Sequence, residues 1–386
     1  MTWREWAERE TANIRSAGRW RAPRDLDAAG VEGKLSPDGR PVVSFASNDY
    51  LGLTQHPAVV AAAGAALERW GAGSGSARLI VGSRPVHSDL ERALADWKDA
   101  ERSVLFPTGF AANLGALTTF GGPDALIVSD ELNHASIIDG CRLARAETVV
   151  ARHADPEHVD ELLAGAGSRR GIVVSDTVFS MDGDLAPLDD LVRVCRQRGA
   201  LLVLDEAHAV LGPDLPDHGA DLPDHGAGAP DHGAEALDVI RVGTLSKTLG
   251  SLGGFVAGPE VFTNLLVNHA RPYIFTTAST PADAAAALAA LAIVRSAEGG
   301  ALRARLRSHV ERLRPGHPSP IVPVVFGDEG ATLAASAALL EQGMLVPAIR
   351  PPTVPDGTSR LRIALSAAHT EAQVDALARA IAALTR

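Results

Sequence analysis

The sequence of 386 residues has little cysteine, few aromatic side chains and no excess of positive charge. Its two cysteines, Cys141 and Cys195, cannot build a disulfide framework, which predicts a reducing compartment. The net charge of −11 argues against a broad surface for nucleic acid or for anionic membranes. We therefore expect no nucleic-acid or membrane partner, and any anionic ligand must be held locally.

Long apolar runs are also missing. No uncharged stretch approaches the roughly 20 residues that cross a bilayer. The first residues, MTWREWAERETANIR, are charged from the fourth position and lack the apolar segment of a signal peptide. These absences predict a globular cytoplasmic protein.

Short apolar runs alternate with helical patterns between about residues 58 and 258. The runs are SVLF (103–106), ALIVS (125–129), GIVVSD (171–176), ALLVLD (200–205) and DVIRVG (238–243). Near-continuous apolar strands between helices indicate a mostly parallel sheet with helices on both faces, which is an α/β fold.

Three regions are expected along the chain. Residues 1–50 contain an amphipathic helix and one strand, VVSFAS, too little for a core of their own, and should pack on the C-terminal domain. Residues 51–285 form the large domain. An Ala-rich helix from residue 281 should break at the Gly299–Gly300 pair, and residues 286–386 form a smaller α+β domain.

The string LLVLDEAH, residues 201–208, places an acid at the end of a buried strand. Asp205 follows four apolar residues, where α/β sheets present ligand-binding groups, and His208 comes three residues later. A DEAH string also occurs in helicases, but that function needs an upstream G-x-x-x-x-G-K-[ST] loop, which this chain lacks. Asp205 is otherwise a helix cap or turn former.

The string VGTLSKTLGSLGG, residues 242–254, places a lysine after a short strand among small residues. Packing of Lys247 by Thr244, Ser246 and Gly250 would lower its pKa through desolvation and make the amine nucleophilic. A lysine that forms a Schiff base, with a carboxylate for a pyridinium nitrogen, is what pyridoxal 5'-phosphate (PLP) chemistry requires.

Two glycine-containing strings are candidates for a phosphate site. In FPTGFAANLGAL, residues 106–117, Gly109 precedes a helix whose free N–H groups could hold a phosphate. The run GAGSGS, residues 71–76, follows a helical pattern rather than a strand, so it is not a dinucleotide-binding loop.

Taken in order, these motifs resemble the α-oxoamine synthases, a branch of the fold-type-I PLP enzymes. The likeness covers nearly the whole chain and is carried by SNDYLGL (47–53), TGFAAN (108–113), NHASIIDG (133–140), FSMDGDLAPL (179–188), DEAH (205–208) and TLSKTLG (244–250). The resemblance implies a large PLP-binding domain, a smaller C-terminal domain and a homodimer with a shared active site.

The string IRPPTVPDGTSRLRIALSAAHT, residues 349–370, resembles one branch of the family in particular. That branch joins L-alanine to a pimeloyl thioester, carried by CoA or by acyl carrier protein, with loss of CO₂ in biotin synthesis. Other members of the family, of the glycine C-acetyltransferase, 5-aminolevulinate synthase or serine palmitoyltransferase type, are the alternatives. A PLP aminotransferase and a PLP-binding pseudoenzyme are more distant ones.

The resemblance implies roles at the ring of the cofactor. Lys247 would hold PLP and move protons at the substrate α-carbon, and Asp205 would pair with the pyridine nitrogen. His134 would stack on the ring, although it could also be an ordinary capping histidine. Ser180 and His208 would bond the phenolic oxygen.

The resemblance also implies which residues bind the phosphate and the substrates. The phosphate would be bound by Gly109, Phe110, Thr244 and, from the second subunit, Thr277. Substrate contacts fall on Asn48, His134, Arg350, Thr353 and Arg19. Arg21 or Arg24 could serve in place of Arg19, and each could instead be a solvated surface arginine. The expected site holds no metal.

One stretch departs from the family. His208 is followed by AVLGP, a shorter turn, and residues 213–235 insert a seven-residue unit repeated as DLPDHGADLPDHGAGAPDHGA (214–234). Asp205 and Lys247 consequently lie 42 positions apart. Pro, Gly and Asp in every unit predict a tolerated surface loop. A metal site formed by His218, His225 and His232 is the alternative.

Overall fold

The computed structural model describes residues 1–212 and 237–385. The helices are α1 (Trp3–Ser16), α2 (Pro57–Trp70), α3 (Pro85–Trp97), α4 (Gly109–Phe120), α5 (Ala135–Leu143), α6 (Pro156–Ala164), α7 (Leu188–Arg198), α8 (Glu260–His269), α9 (Arg271–Ile274), α10 (Pro281–Val294), α11 (Ala297–Leu313), α12 (Glu329–Glu341) and α13 (Glu371–Leu384). The strands are β1 (Leu26–Ala28), β2 (Glu32–Leu35), β3 (Arg40–Ser44), β4 (Arg102–Phe106), β5 (Ala125–Asp130), β6 (Glu147–Ala151), β7 (Arg170–Asp176), β8 (Leu201–Asp205), β9 (Val239–Thr244), β10 (Gly254–Gly258), β11 (Ile321–Gly327), β12 (Met344–Leu345), β13 (Ala348–Ile349) and β14 (Ser359–Ala364).

The central sheet has the strand order β4-β10-β9-β8-β7-β5-β6. Only β10 runs against its neighbours, so the mostly parallel sheet expected from the apolar runs is confirmed. Successive side chains of β8 point to opposite faces. Leu202 and Leu204 pack on the side of α7, while Val203 packs on the side of α4. Both faces are therefore buried under helices.

Two smaller sheets lie in the N-terminal and C-terminal parts of the chain. The C-terminal sheet has the order β11-β14-β13 and is antiparallel. The other has the order β1-β2-β3-β12, in which β3 pairs parallel with β12 through Met344 and Val43. This pairing attaches the N-terminal segment to the C-terminal region.

The Ala-rich helix breaks earlier than the glycine pair suggested, so that expectation was wrong. α10 ends at Val294, and the Ser296 side chain caps α11 by accepting from the Gly299 N–H at 3.4 Å. Gly299 and Gly300 lie inside α11. A Cβ on Gly299 would come within 2.4 Å of the Ile293 carbonyl oxygen, so the glycine permits the sharp turn rather than ending the helix.

The boundary expected at residue 285 falls inside α10, which packs against α2 and α3. Across residues 1–212 and 237–385, no single helix has the length and apolar character to cross a membrane. α10 and α11 reach that length and apolar character only when taken together, and the chain bends by 79° between them.

Candidate active site

The candidate site lies at the carboxyl ends of β8 and β9. The two strands are parallel neighbours, with Asp205 opposite Val242, so their ends meet at one edge of the sheet. Lys247 follows β9, His208 follows β8, and Lys247 Nζ lies 2.7 Å from His208 Nε2. Strand pairing thus brings together residues that the insertion separates along the chain.

The turn after Lys247 needs glycine. Gly250 has a φ of +57°, a region that side chains rarely adopt, and a Cβ there would lie 2.7 Å from the Thr54 nitrogen. The glycine therefore lets the lysine loop pack directly on the segment after Tyr50.

Burial controls the protonation of the lysine and of its histidine partner. Burial lowers the pKa of Lys247 to about 8, although the charges of Asp205 and Asp176 oppose the shift. Burial, followed by the charge of Lys247, holds the pKa of His208 well below its usual value. Near neutral pH the site therefore contains a neutral imidazole beside an amine that readily gives up its proton.

Hydrogen bonds hold Asp205 in a fixed orientation. Its Oδ2 accepts from Asn113 Nδ2 at 2.6 Å, and its Oδ1 accepts from the Ala207 N–H at 2.9 Å. Asn113 Nδ2 also donates to Ser136 Oγ at 2.9 Å, and this hydroxyl lies 2.7 Å from His134 Nδ1. One network therefore connects the buried carboxylate to the histidine at the start of α5.

The other acid of the DEAH string has a structural role. Glu206 is paired on both sides, with Lys98 at 2.7 Å and with Arg241 at 2.7 Å. Burial would raise the pKa of Glu206, but Lys98 and Arg241 outweigh that effect and lower it. Asp205 and His208 point to the site, whereas Glu206 ties β8 to β9 and to the end of α3.

The start of α4 provides backbone N–H groups at the same edge. Gly109 is the first residue of α4, and Thr108 caps the helix by accepting from the Ala111 N–H at 3.0 Å. A Cβ on Gly109 would lie 3.2 Å from Thr244 Cβ, so the glycine allows β9 to approach the helix. The N–H groups of Gly109 and Phe110, the helix dipole and Thr244 together could hold a phosphate.

The residues fit PLP as a group. A buried amine with a lowered pKa, a buried carboxylate at a strand end and an N-terminal helix turn stand around the same strand ends. Asn113 Oδ1 is buried and has no hydrogen-bond partner within the described residues, which leaves an acceptor for a bound group.

Ser180 and Asn48 join this cluster through an arginine that the sequence analysis missed. Arg362, on β14, donates from Nε to the Ser180 carbonyl oxygen at 2.5 Å and from its terminal nitrogens to Asn48 Oδ1 at 3.3 Å. Its side chain is almost fully buried. An arginine within the apolar run LRIAL was the available signal, because charged residues are rarely buried without a partner.

Three further residues of the site were missed. Asp176 ends β7 as Asp205 ends β8, so the signal used for Asp205 applied equally to it. Its Oδ2 accepts from the His134 N–H at 2.7 Å. Tyr50 contacts His208 Nδ1 at 2.6 Å, and Asn113 contacts Asp205. Both lie in the quoted motifs SNDYLGL and TGFAAN, but their pairing depends on the folded chain.

Two of the expected substrate residues, Arg19 and Arg350, form a separate cluster. Arg19 binds Glu329 at 2.7 Å and Asp356 at 3.2 Å, and Arg350 lies 3.6 Å from the same Glu329. Arg350 also donates to the Gly18 carbonyl oxygen at 2.8 Å. In the part of the chain that the structure describes, no hydrogen bond joins Arg19 or Arg350 to Lys247, Asp205 or His208.

The remaining candidates are exposed. Thr353 N donates to the Arg350 carbonyl oxygen at 3.1 Å, and its side chain faces solvent. Arg21 donates to the Pro351 carbonyl oxygen at 3.1 Å, while Arg24 is exposed. Thr277 lies exposed after α9. The insertion at 213–235, with His218, His225 and His232, lies outside the described residues.

Sequence comparison identifies the relatives of this chain. The model of the aminotransferase class I and II family matches residues 40–381. An 8-amino-7-oxononanoate synthase of Anaeromyxobacter dehalogenans is 49% identical over 385 residues, covering 93% of both chains. Another, from Burkholderia thailandensis, is 47% identical and covers 98% of this chain and 96% of the relative.

Solved structures agree on the fold. A serine palmitoyltransferase of S. paucimobilis, with a bound PLP–myriocin aldimine, has a TM-score of 0.86 at 30% identity over 98% of this chain and 96% of that one. An 8-amino-7-oxononanoate synthase of Francisella tularensis has a TM-score of 0.70 at 24% identity over 89% and 97%, which supports the fold alone. The expected fold-type-I architecture and the expected acyltransferase are confirmed. The chain belongs to the aminotransferase class I and II family and, within it, to the 8-amino-7-oxononanoate synthases, the acyltransferases of biotin biosynthesis.

Proposed function

We propose that this chain binds PLP at Lys247 and joins L-alanine to a pimeloyl thioester, releasing CO₂ and the free thiol of CoA or of acyl carrier protein. The observation that carries the proposal is the contact of 2.7 Å between Lys247 Nζ and the neutral His208, beside the buried Asp205.

We place the enzyme in the cytoplasm, and its two cysteines suit that compartment. Burial raises the pKa of the Cys141 thiol to about 11 and that of the Cys195 thiol to about 12, so both thiols stay reduced and inert there.

The residues divide the binding of PLP among themselves. Lys247 would hold it covalently through the side-chain amine, and Asp205 would face the pyridine nitrogen. His134 would lie against the ring, with Ser180 and His208 at its phenolic oxygen. The start of α4, with Gly109 and Phe110, and the hydroxyl of Thr244 would bind the phosphate. When bound, PLP supplies an electron sink for negative charge at the substrate α-carbon.

The reaction requires two proton transfers at that carbon. The α-carbon of alanine first loses a proton and forms a bond to the thioester carbonyl carbon, from which the thiolate leaves. The carboxylate of alanine then leaves as CO₂, and a proton returns to the α-carbon. Lys247 suits both transfers, because an amine with a pKa of about 8 can accept and donate a proton near neutral pH. His208 would orient the amine between these transfers.

The substrate carboxylates would be bound by Arg350, whose side chain is 11% exposed, and by Arg19, whose side chain is 39% exposed. Arg350 and Arg19 share Glu329, so a substrate carboxylate that binds one of them must compete with that acid. The pimeloyl chain ends in a carboxylate, which suits a fork-shaped guanidinium. We also assign Asn48, His134 and Thr353 to the binding of the substrates.

Thr277 would reach the phosphate of the partner subunit's site in a homodimer. It lies beside an exposed apolar patch formed by Leu79, Ile80, Val81 and Phe275. α9, which precedes Phe275, packs on the turn that carries the other three. An exposed apolar patch of this kind is typical of a subunit interface.

The first experiment tests the cofactor. The chain has three lysines, Lys34, Lys98 and Lys247. PLP added to the full-length protein should give a yellow colour, and borohydride followed by peptide mass spectrometry should place the adduct on Lys247. Lys247→Ala should abolish the colour, while exposed Lys34→Ala should retain it. A colourless wild type would refute the proposal.

The second experiment tests the substrates. The PLP-loaded protein is incubated with pairs of an amino acid and an acyl-CoA, and thiol release is followed. L-alanine with pimeloyl-CoA should release thiol and give a product with the mass of 8-amino-7-oxononanoate. Release only with L-serine and palmitoyl-CoA, or with glycine and a short acyl-CoA, would indicate a different member of the family.

A further inference from the structure

Tyr50 lies between Asn48 and the histidine that contacts the reactive lysine. Its hydroxyl oxygen is 2.6 Å from His208 Nδ1 and 3.1 Å from Asn48 Oδ1. On its other side the His208 ring is 2.7 Å from Lys247 Nζ through Nε2. Tyr50 is fully buried, so water does not compete for its hydroxyl. Asn48, Tyr50, His208 and Lys247 thus form one chain of hydrogen bonds.

The orientation of the Asn48 amide is fixed by Arg362. A guanidinium can only donate, so the Asn48 atom that faces Arg362 at 3.3 Å must be the oxygen. The same oxygen faces Tyr50, so the tyrosine hydroxyl can only donate to it. Burial raises the pKa of Tyr50 to about 12, and the hydroxyl therefore keeps its single proton.

Two arrangements satisfy these contacts. In the first, the Tyr50 hydroxyl donates to Asn48, His208 Nδ1–H donates to Tyr50, and His208 Nε2 accepts from Lys247. In the second, the Tyr50 hydroxyl turns and donates to His208 Nδ1, so that His208 Nε2–H donates to Lys247. The first suits a Lys247 ammonium, whereas the second requires a neutral amine.

We propose that Tyr50 is a positioning residue that sets which ring nitrogen of His208 carries the proton, and through it couples the tautomer of His208 to the protonation state of Lys247. When the ammonium loses its proton, Nε2 gains a proton, Nδ1 gives one up, and the Tyr50 hydroxyl turns from Asn48 to Nδ1. The balance is one proton released to solvent, with the imidazole neutral before and after. The significance for proton transfer at the substrate rests on the proposed function.

Other charged groups act on the same atoms and must be considered together. The groups that face Lys247 or His208 are Asp205 at the end of β8, Asp176 at the end of β7, His134 before α5 and Arg362 on β14. Asp205 and Asp176 favour the ammonium, and Arg362 disfavours it. None of these groups contacts His208 Nδ1 within the described residues, so the tautomer depends on Tyr50.

The test uses the full-length protein without PLP, labelled with ¹⁵N in its histidines. The chain has 13 histidines, and the signals of His208 are identified by their loss in His208→Gln. Between about pH 6 and about pH 10, which brackets the pKa of Lys247 of about 8, the proton on His208 should move from Nδ1 to Nε2. A wild-type protein whose His208 tautomer does not change over this range would overturn the proposal.

Two variants separate coupling from folding. Tyr50→Phe keeps the ring but removes the hydroxyl, and should lose most of the tautomer change. Tyr273→Phe, the same substitution at the other tyrosine, should keep it in full. A full change in Tyr50→Phe would refute the role of the hydroxyl.

Asn48→Ala provides the independent test if Tyr50→Phe does not fold. Without its acceptor the Tyr50 hydroxyl can donate only to His208, so Nε2–H should persist across the pH range. The lysine should then react with a small amine-modifying reagent at lower pH than in the wild type. A wild-type response in Asn48→Ala would contradict the proposal. Because these measurements need neither PLP nor substrate, a failure of the proposed reaction would leave their outcome unaffected.

Discussion

Two buried carboxyl groups stand side by side at the end of the central sheet. Asp176 and Asp205 are opposite each other on β7 and β8, and both are almost fully buried. Burial, followed by the negative charge of Asp205, raises the pKa of Asp176 well above its usual value. An acid kept in such surroundings disfavours folding, which is typical of residues retained for a function.

The first prediction concerns Asp176→Asn in the PLP-free protein. The asparagine oxygen still accepts from the His134 N–H, while the buried acid beside Asp205 is removed. Because the pKa of Asp176 is raised on folding, its unfavourable contribution is absent below pH 3.8 and grows as the pH rises. Thermal unfolding should show a gain of about 2–5 °C near pH 8 and a smaller gain near pH 5.

Asp27→Asn, at an exposed position on β1, is the matched control and should change the melting temperature little at either pH. A loss of stability in Asp176→Asn near pH 8 would show that the carboxylate itself is needed to hold His134. The same variant should bind PLP more weakly if His134 is displaced.

At the scale of secondary-structure elements, one histidine connects three segments beside the site. Asp130 ends β5, His153 follows β6, and Asp184 lies in the turn after Ser180. His153 Nδ1 is 3.0 Å from Asp130 Oδ1, and its Nε2 is 2.7 Å from Asp184 Oδ2. The imidazole also packs perpendicular to the Phe179 ring, with the ring centroids 4.4 Å apart. This contact fixes the segment that carries Ser180.

The second prediction is that His153→Gln loses stability in a pH-dependent manner. Hydrogen bonds to Asp130 and then to Asp184 raise the pKa of His153 to about 10. The stabilisation is therefore complete below the usual pKa of about 6.5 and is lost as the pH rises through about 10. Urea unfolding should show a larger loss in the free energy of unfolding near pH 6 than near pH 10.

The exposed His269 on α8 offers the control, His269→Gln, since its imidazole makes no hydrogen bond or ion pair with another element within residues 1–212 and 237–385. An equal loss for His153→Gln at both pH values would mean that the side chain acts through packing on Phe179 rather than through its charge.

Strands of the central sheet could be predicted because both faces are covered, so the apolar run is continuous. β6 at the edge reads ETVVA and is half exposed, which weakens this signal. The break of the Ala-rich helix was placed wrongly because glycine usually ends helices, whereas here Gly299 permits a close approach between the start of α11 and the end of α10. Local patterns therefore identified elements better than their junctions.

The third prediction concerns the repeated unit. β8 and β9 pair from Leu202 opposite Val239 to Asp205 opposite Val242. This pairing fixes Asp205 on one side of the insertion and, on the other side, the strand that leads to Lys247. Deleting residues 214–220 should therefore leave PLP binding and its colour unchanged, as measured by absorbance titration. A deletion variant that folds but no longer binds PLP would show that the insertion supports the site.

At the scale of the whole molecule, the site is assembled from distant parts of the chain. Lys247, Asp205 and His208 could be selected from the sequence because each lies at or just beyond the end of a recognisable strand, whereas His134 was indicated by the family resemblance. Tyr50 and His208 are separated by 158 positions, and Asn48 and Arg362 by 314. Such pairs depend on how the N-terminal segment and β14 fold back onto the large sheet, which no local pattern encodes.

The surface of the whole molecule carries a candidate interface for the expected second subunit. Leu79, Ile80, Val81 and Phe275 form the exposed apolar patch beside Thr277, with Ile80 exposed to 74% and Val81 to 68%. Large apolar side chains at such exposure are expected to be covered in the assembled protein. If the patch is the dimer interface, dimerisation and PLP affinity must change together, because Thr277 would serve the partner's phosphate site.

The fourth prediction places a charge in this patch. Val81→Glu should shift the protein towards monomer in analytical ultracentrifugation, since burying an unpaired carboxylate is unfavourable, and should weaken PLP binding in the same preparation. Val261→Glu on α8 is the matched control, because Val261 is also exposed to 68%, and it should leave both properties unchanged. A Val81→Glu protein that stays dimeric would place the interface elsewhere, whereas a monomer with unchanged PLP affinity would remove Thr277 from the phosphate site.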